Sequence, residues 1–105
     1  MKYFICALLL ITLFFGCSSK QSIEQYGKDF QKHNNFKTLK AVVELIELNT
    51  DTSYLISILG KPINMGFDYR YLTDSISPNN CPIGAVFHIN ETGKIDQKWI
   101  DEICE

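Results

Sequence analysis

The apolar positions of this chain repeat with two different periods, and the change from one to the other divides it. Over residues 36–48, Phe36, Leu39, Val42, Val43 and Ile46 recur at helical spacing and make a broad stripe, extended by Leu45 and Leu48, with Lys40 and Glu44 on its flank. Asn35 stands where a helix takes its cap. Ahead of it, Ile23, Tyr26 and Phe30 outline a weaker helix over about residues 22–32, limited by Gly27 and by the His33-Asn34-Asn35 break. After the break at Asn49-Thr50, Asp51 opens a further helix: its carboxylate is expected to accept the orphan N–H groups of the first turn. Leu55, Ile58 and Leu59 then recur at helical spacing, with Tyr54 beside them; Gly60 is expected to close the helix in a left-handed conformation, and Pro62 forbids its continuation.

Beyond Pro62 the period falls to two. Met65, Phe67, Tyr69 and Tyr71 share one face of a predicted strand over 65–72, with Asp68 and Arg70 on the other. Thr73–Pro82, rich in Ser, Asn, Asp and Pro, reads as a loop. Residues 84–90 alternate Ala85, Phe87 and Ile89 against Val86 and His88, and Glu91-Thr92-Gly93 makes a hairpin connection. A third strand over 94–100 sets Ile95, Gln97 and Trp99 against Asp96, Lys98 and Ile100.

One segment fits neither period. Lys2 is followed by the almost unbroken apolar run Tyr3–Phe15, about 13 residues, against the roughly 20 that a membrane span needs. It reads as an export signal, ending in Gly16-Cys17 and the polar Ser18-Ser19-Lys20-Gln21. A small residue before a cysteine at that place resembles the lipobox of bacterial lipoproteins. The resemblance implies acylation of Cys17, removal of residues 1–16, and transfer to the outer membrane in view of Ser18 after the cysteine. An uncleaved signal anchor, or an ordinary secretory signal with an incidental cysteine, is the alternative. The expected organisation is thus a signal peptide at 1–16, a lipidated flexible tether at 17–35 and a small domain at 36–105. The fold class is α+β: two short helices packed on a three-stranded antiparallel meander.

Composition narrows the function further. With 105 residues, a net charge of −2 and a pI near 5.6, the chain holds one domain at most and gives no reason to expect nucleic-acid binding. Of its four cysteines, Cys6 lies in the signal and Cys17 is assigned to lipid. Cys81 and Cys104 flank the second and third strands, whose hairpin pairing brings their outer ends together, so a structural disulfide is expected. A reduced pair or a metal site is the alternative, though neither histidine stands at metal spacing and there is no Cys-x-x-Cys. His33 and His88 are read as surface side chains, and no cofactor or metal is expected.

Leu59-Gly60-Lys61-Pro62, followed by Tyr69-Arg70-Tyr71 and by the hairpin segment Val86–Ile95, resembles the SmpA/OmlA family of small outer-membrane lipoproteins, over roughly residues 37–100. The family's glycine-bearing turn before the second helix is replaced here by Asn49-Thr50-Asp51, where Asn tolerates the left-handed conformation and Asp caps. The resemblance implies a fold shared with beta-lactamase inhibitory protein domains. It also implies a non-enzymatic role in outer-membrane assembly or maintenance, at the periplasmic face or the cell surface. The candidate surface for an envelope protein partner is Tyr69 and Tyr71 with the loop 73–82, including Asn79 and Asn80; core packing is the competing role of the two tyrosines. Inhibition of a hydrolase is the alternative function. An enzyme would have only Asp96, Asp101, Glu102 and His88 to work with, a cluster in which no nucleophile is paired with a base.

Overall fold

The computed structural model describes residues 23–104; the expected signal peptide and Cys17 lie outside the described residues. Residues 23–33 form α1, followed by α2 (Phe36–Leu45) and α3 (Thr52–Leu59). The strands are β1 (Ile63–Asn64), β2 (Asp68–Ile76), β3 (Pro82–Ile89) and β4 (Ile95–Glu102), in one antiparallel sheet of order β1-β2-β3-β4. The α+β class is as expected, but the meander has four strands rather than three. The added member is the two-residue β1, which pairs Ile63 with Arg70 and Asn64 with Tyr69. Two residues give too little alternation to be seen as a strand.

The helices begin and end for local reasons. Asn34, at φ +53°, closes α1, and its N–H donates to the Phe30 carbonyl at 2.7 Å. Asn35 then caps α2: its side-chain oxygen accepts from the Thr38 N–H at 2.9 Å and from the Thr38 hydroxyl. The helix stops at Leu45, three residues short of expectation, and Leu48 is exposed. Lys98 explains part of that early stop, because its Nζ lies 2.5 Å from both the Val43 and Ile46 carbonyls and satisfies them with a cation. Asn49 (φ +70°) turns the chain toward α3, as its residue type allows.

Asp51 occupies the N-cap of α3, yet its carboxylate caps nothing. It pairs instead with Lys94 Nζ at 3.0 Å, across a bridge to the β3–β4 turn. Gly60 ends α3 at φ +86°, ψ −165°, an extended conformation of positive φ rather than the left-handed helical one expected.

All three helices bury their apolar stripes on one face of the sheet. The core unites Ile23 and Phe30 of α1; Leu39, Val42, Val43 and Ile46; Leu55, Ile58 and Leu59 of α3; and Tyr71, Ala85, Phe87 and Ile95 from the sheet. The folded unit therefore takes in α1, which the sequence reading had left in the tether. Gly27 limits the helix by propensity, yet it is what lets α1 dock. A Cβ there would lie 2.3 Å from the Ile58 carbonyl oxygen, so only glycine permits this approach of α1 to α3.

Two strand boundaries also move. β2 runs on to Ile76, so only residues 77–81 are left for the turn, and Met65 and Phe67 fall outside β2 in the exposed β1–β2 turn. In β4 the register slips between His88–Gln97 and Ile89–Ile95, leaving Asp96 as an extra residue. That bulge puts Ile95 on the helix-facing side together with Lys98 and Ile100, where strict alternation had placed it with Gln97 and Trp99.

Candidate functional site

With the helices confined to one face, the other face of the sheet is the surface the fold leaves for function. Register defines its rows. Ile63, Arg70, Val86 and Trp99 pair successively across all four strands; beside them run Asp68–His88–Gln97 and Leu72–Gly84–Asp101. Side chains alternate across a strand, so with Tyr69, Tyr71, Ala85 and Phe87 packed toward the helices these residues point away from them.

The electrostatics of this face are local and net acidic, with Arg70 set against Asp68, Asp96 and Asp101. Arg70 lies 3.6 Å from the Asp68 carboxylate, which is itself buried, while Arg70 Nε is enclosed and has no hydrogen-bond partner among the described residues. His88 Nδ1 sits 2.6 Å from Asp96 Oδ1, the carboxylate that the bulge brings forward. Both members of that pair are about one-third exposed. The sequence groups His88 with Asp96, Asp101 and Glu102, and it is the extra residue that singles out Asp96 as its direct partner. Beside Arg70, Val86 and Trp99, a shallow groove of about 230 Å³ runs to Asp101, Ile103 and Cys104. A second groove, about 460 Å³, opens at the β2 edge between β1 and the α1–α2 junction, lined by Gln31, Asn34, Lys61, Pro62 and Leu72 among others.

Cys81 and Cys104 form a disulfide with Cα atoms 5.0 Å apart, as expected from the hairpin. It ties the β2–β3 turn to the segment after β4. Glu102 lies close enough to both sulfurs to make a three-ligand set, but in the disulfide the sulfurs are bonded to each other rather than available as thiolates. Asn79 Nδ2 donates to both Glu102 carboxylate oxygens, at 3.0 and 3.2 Å. Hydrogen bonds from Ser77 first, and then from Asn79, hold the Glu102 carboxyl below its ordinary range.

The four residues expected to form a partner surface do not stay together. Tyr71 is only 4% exposed, edge-on to both Phe30 and Phe87, and its hydroxyl donates to the Gly60 carbonyl at 2.8 Å. Burial, and then the neighbouring Tyr69 phenol, raise its pKa far above the ordinary tyrosine value. Tyr71 is thus a core residue and is withdrawn from any surface; Tyr69, half-buried, packs against the same core. Asn79 and Asn80 are exposed in the β2–β3 turn, Asn80 at φ +63°. Replacing Tyr71 by phenylalanine is expected to lower stability by about 1 kcal/mol, the worth of one hydrogen bond, and to leave partner capture unchanged. Urea unfolding read beside a capture assay checks both, and a loss of capture at unchanged stability would restore Tyr71 to the surface.

Strict alternation in β4 put Trp99 on one face with Ile95 and so hid it as a surface residue, whereas Arg70 already stood opposite the tyrosines. A signal was present: Ile95 and Ile100, five apart, cannot both face one core without an extra residue between them. His33 is exposed, 3.5 Å from Asp29 one helical turn away. No family model matches the chain, nor does any curated protein or solved structure.

Proposed function

We propose that this chain is a non-enzymatic protein-interaction module of the bacterial envelope, lipidated at Cys17 and held at the outer membrane. In this reading its uncovered sheet face receives an envelope protein, in the manner expected of an SmpA/OmlA-like lipoprotein. The observation that carries the reading is that Ile63, Trp99 and the partly exposed Arg70 surround the buried Val86 on a sheet face that none of the described helices covers. Trp99, 37% exposed, and Arg70 line one groove on either side of Val86, and tryptophan and arginine are both enriched among the residues that anchor protein interfaces. The lipobox-like Gly16-Cys17 supplies the anchor, with each buried methylene of an acyl chain worth about 0.8 kcal/mol.

A photo-crosslinking amino acid placed at position 99 in living cells tests the surface, with the same probe at Lys40, exposed on α2, as the comparison. The expected result is a discrete higher-mass product from position 99 and none from position 40. Product from 40 alone, or from neither, refutes the assigned face. In parallel, Cys17→Ser is expected to abolish fatty-acid labelling; persistent labelling would place the lipid elsewhere.

A further inference from the structure

The turn between β1 and β2 exposes apolar side chains that its geometry does not require. The Met65 N–H donates to the Asp68 carbonyl at 2.8 Å, which leaves Gly66 and Phe67 as the two central residues. Gly66, at φ +92°, supplies the positive φ such a turn needs, and its N–H is held by Asn64 Oδ1 at 2.8 Å. Backbone and Asn64 close the turn; the side chains of Met65 and Phe67 contribute nothing to closing it. Yet Phe67 is 59% exposed, Met65 43% and Ile63 39%. Clustered apolar exposure of this kind at a protruding tip marks a contact surface.

Its position identifies the contact. The Ile89 N–H donates to the Phe67 carbonyl at 2.8 Å, so the tip lies at the end of the sheet where β3 enters the β3–β4 turn. α3 starts at this same end, with the Thr52 N–H on the Gly93 carbonyl at 3.2 Å. α1 runs parallel to α3: Glu24 and Lys28 share a cleft with Tyr54 and Ser57, and Gln31 further along reaches the Ile58 carbonyl at 2.8 Å. Ile23, the first described residue, is therefore at the end that carries the tip. In the sequence Cys17 precedes Ile23 by only six positions, and the apolar run Tyr3–Phe15 by eight. An extended chain spans at most about 3.3–3.6 Å per residue, so an anchor at Cys17 keeps this end within roughly 20 Å of its membrane.

We infer that Met65 and Phe67 insert into the interface of the same bilayer that anchors the chain, holding the domain in one orientation on it. The inference rests on the reading of a membrane tether given above. A patch of two or three side chains is too small to hold a protein on lipid alone; a short tether raises its local concentration to the millimolar range, where weak insertion suffices. The chain carries a net charge of −2, or −3 once Lys2 leaves with residues 1–16, so contact with the bilayer falls to apolar groups rather than to attraction by anionic headgroups.

The test uses the full chain carrying Phe67→Trp with Trp99→Phe, which moves the single tryptophan to the tip. The protein is extracted from membranes and reconstituted into phosphatidylcholine vesicles with or without brominated acyl chains. Flotation with the vesicles and at least twofold quenching of the tip tryptophan by bromine are expected, with Trp99 of the unsubstituted protein unquenched. Met65→Trp in the Trp99→Phe background repeats the measurement from the neighbouring position. Flotation without quenching from either position overturns the inference and leaves the tether standing. Failure to float overturns both. A tip emission that shifts only when envelope proteins are added assigns the patch to a protein cleft and likewise overturns it.

Discussion

Phe87→Ala is expected to cost about 3–5 kcal/mol, the range for emptying a large aromatic site that cannot collapse. Phe87 has no exposed surface, sits edge-on to Tyr71 with ring centres 5.9 Å apart, and belongs to a strand paired on both sides, to Tyr69 and to Lys98. With backbone fixed on both flanks and helices above, little can move in to fill the space. For a domain whose whole stability is of order 5–15 kcal/mol, such a loss leaves a large unfolded fraction. Trp99→Ala, on the opposite face of the adjacent strand, is the contrast: at 37% exposure it is expected to cost about 1 kcal/mol or less. Urea unfolding followed by circular dichroism separates the two. Equal losses would contradict a main core on the helix-covered face of the sheet.

The second large effect is covalent. Cys81 and Cys104 are separated by 23 positions, and opening a loop of that size is expected to remove about 3 kcal/mol in the chain-entropy account. For a domain of this length that corresponds to a fall of roughly 12–24 °C in Tm. The double substitution Cys81→Ser/Cys104→Ser isolates the effect without leaving a lone reactive thiol, and thermal unfolding of the unsubstituted protein with and without dithiothreitol provides the same comparison chemically. Much of the loss falls on the unfolded state. The folded pairing near the bridge is expected to survive, since the Ile103 N–H still donates to the Pro82 carbonyl at 2.8 Å. A reduced protein that melts with the oxidised one would show that the bridge constrains nothing.

Both expectations draw on parts of the molecule that were legible before any coordinates. The stripe on α2, the cap at Asn35, the Gly60–Pro62 stop and the alternation Ala85–Phe87–Ile89 are local patterns, each set by residues a few positions apart, and each is found in place. The disulfide was legible for a related reason: a hairpin fixes which strand ends meet. Less legible were features in which a distant group competes with a local one. Asp51 has the chemistry of a cap, but Lys94, 43 positions away, takes its carboxylate. Tyr71 by pattern suits core packing but leaves a surface role open, and its burial with the hydroxyl on the Gly60 carbonyl decides for the core.

The apolar tip shows the same division at its sharpest. Met65, Phe67, Tyr69 and Tyr71 form one alternating series in the sequence, which reads as a single strand face. In the fold Gly66 turns the chain, so that the last two pack on the core and the first two are left facing water, with Ile63 of β1 beside them. Spacing and the backbone preferences of Asn, Gly and Pro suffice to read the helices, three of the four strands and the α+β class from the chain, but not the two-residue β1 or the ends of α2 and β2. Only the tertiary structure decided which face of the sheet is covered, that α1 belongs to the core, that β4 carries a bulge at Asp96, and which aromatic residues remain outside. Those depend on how elements meet, and a one-residue slip in register moves every side chain of a strand to its other face.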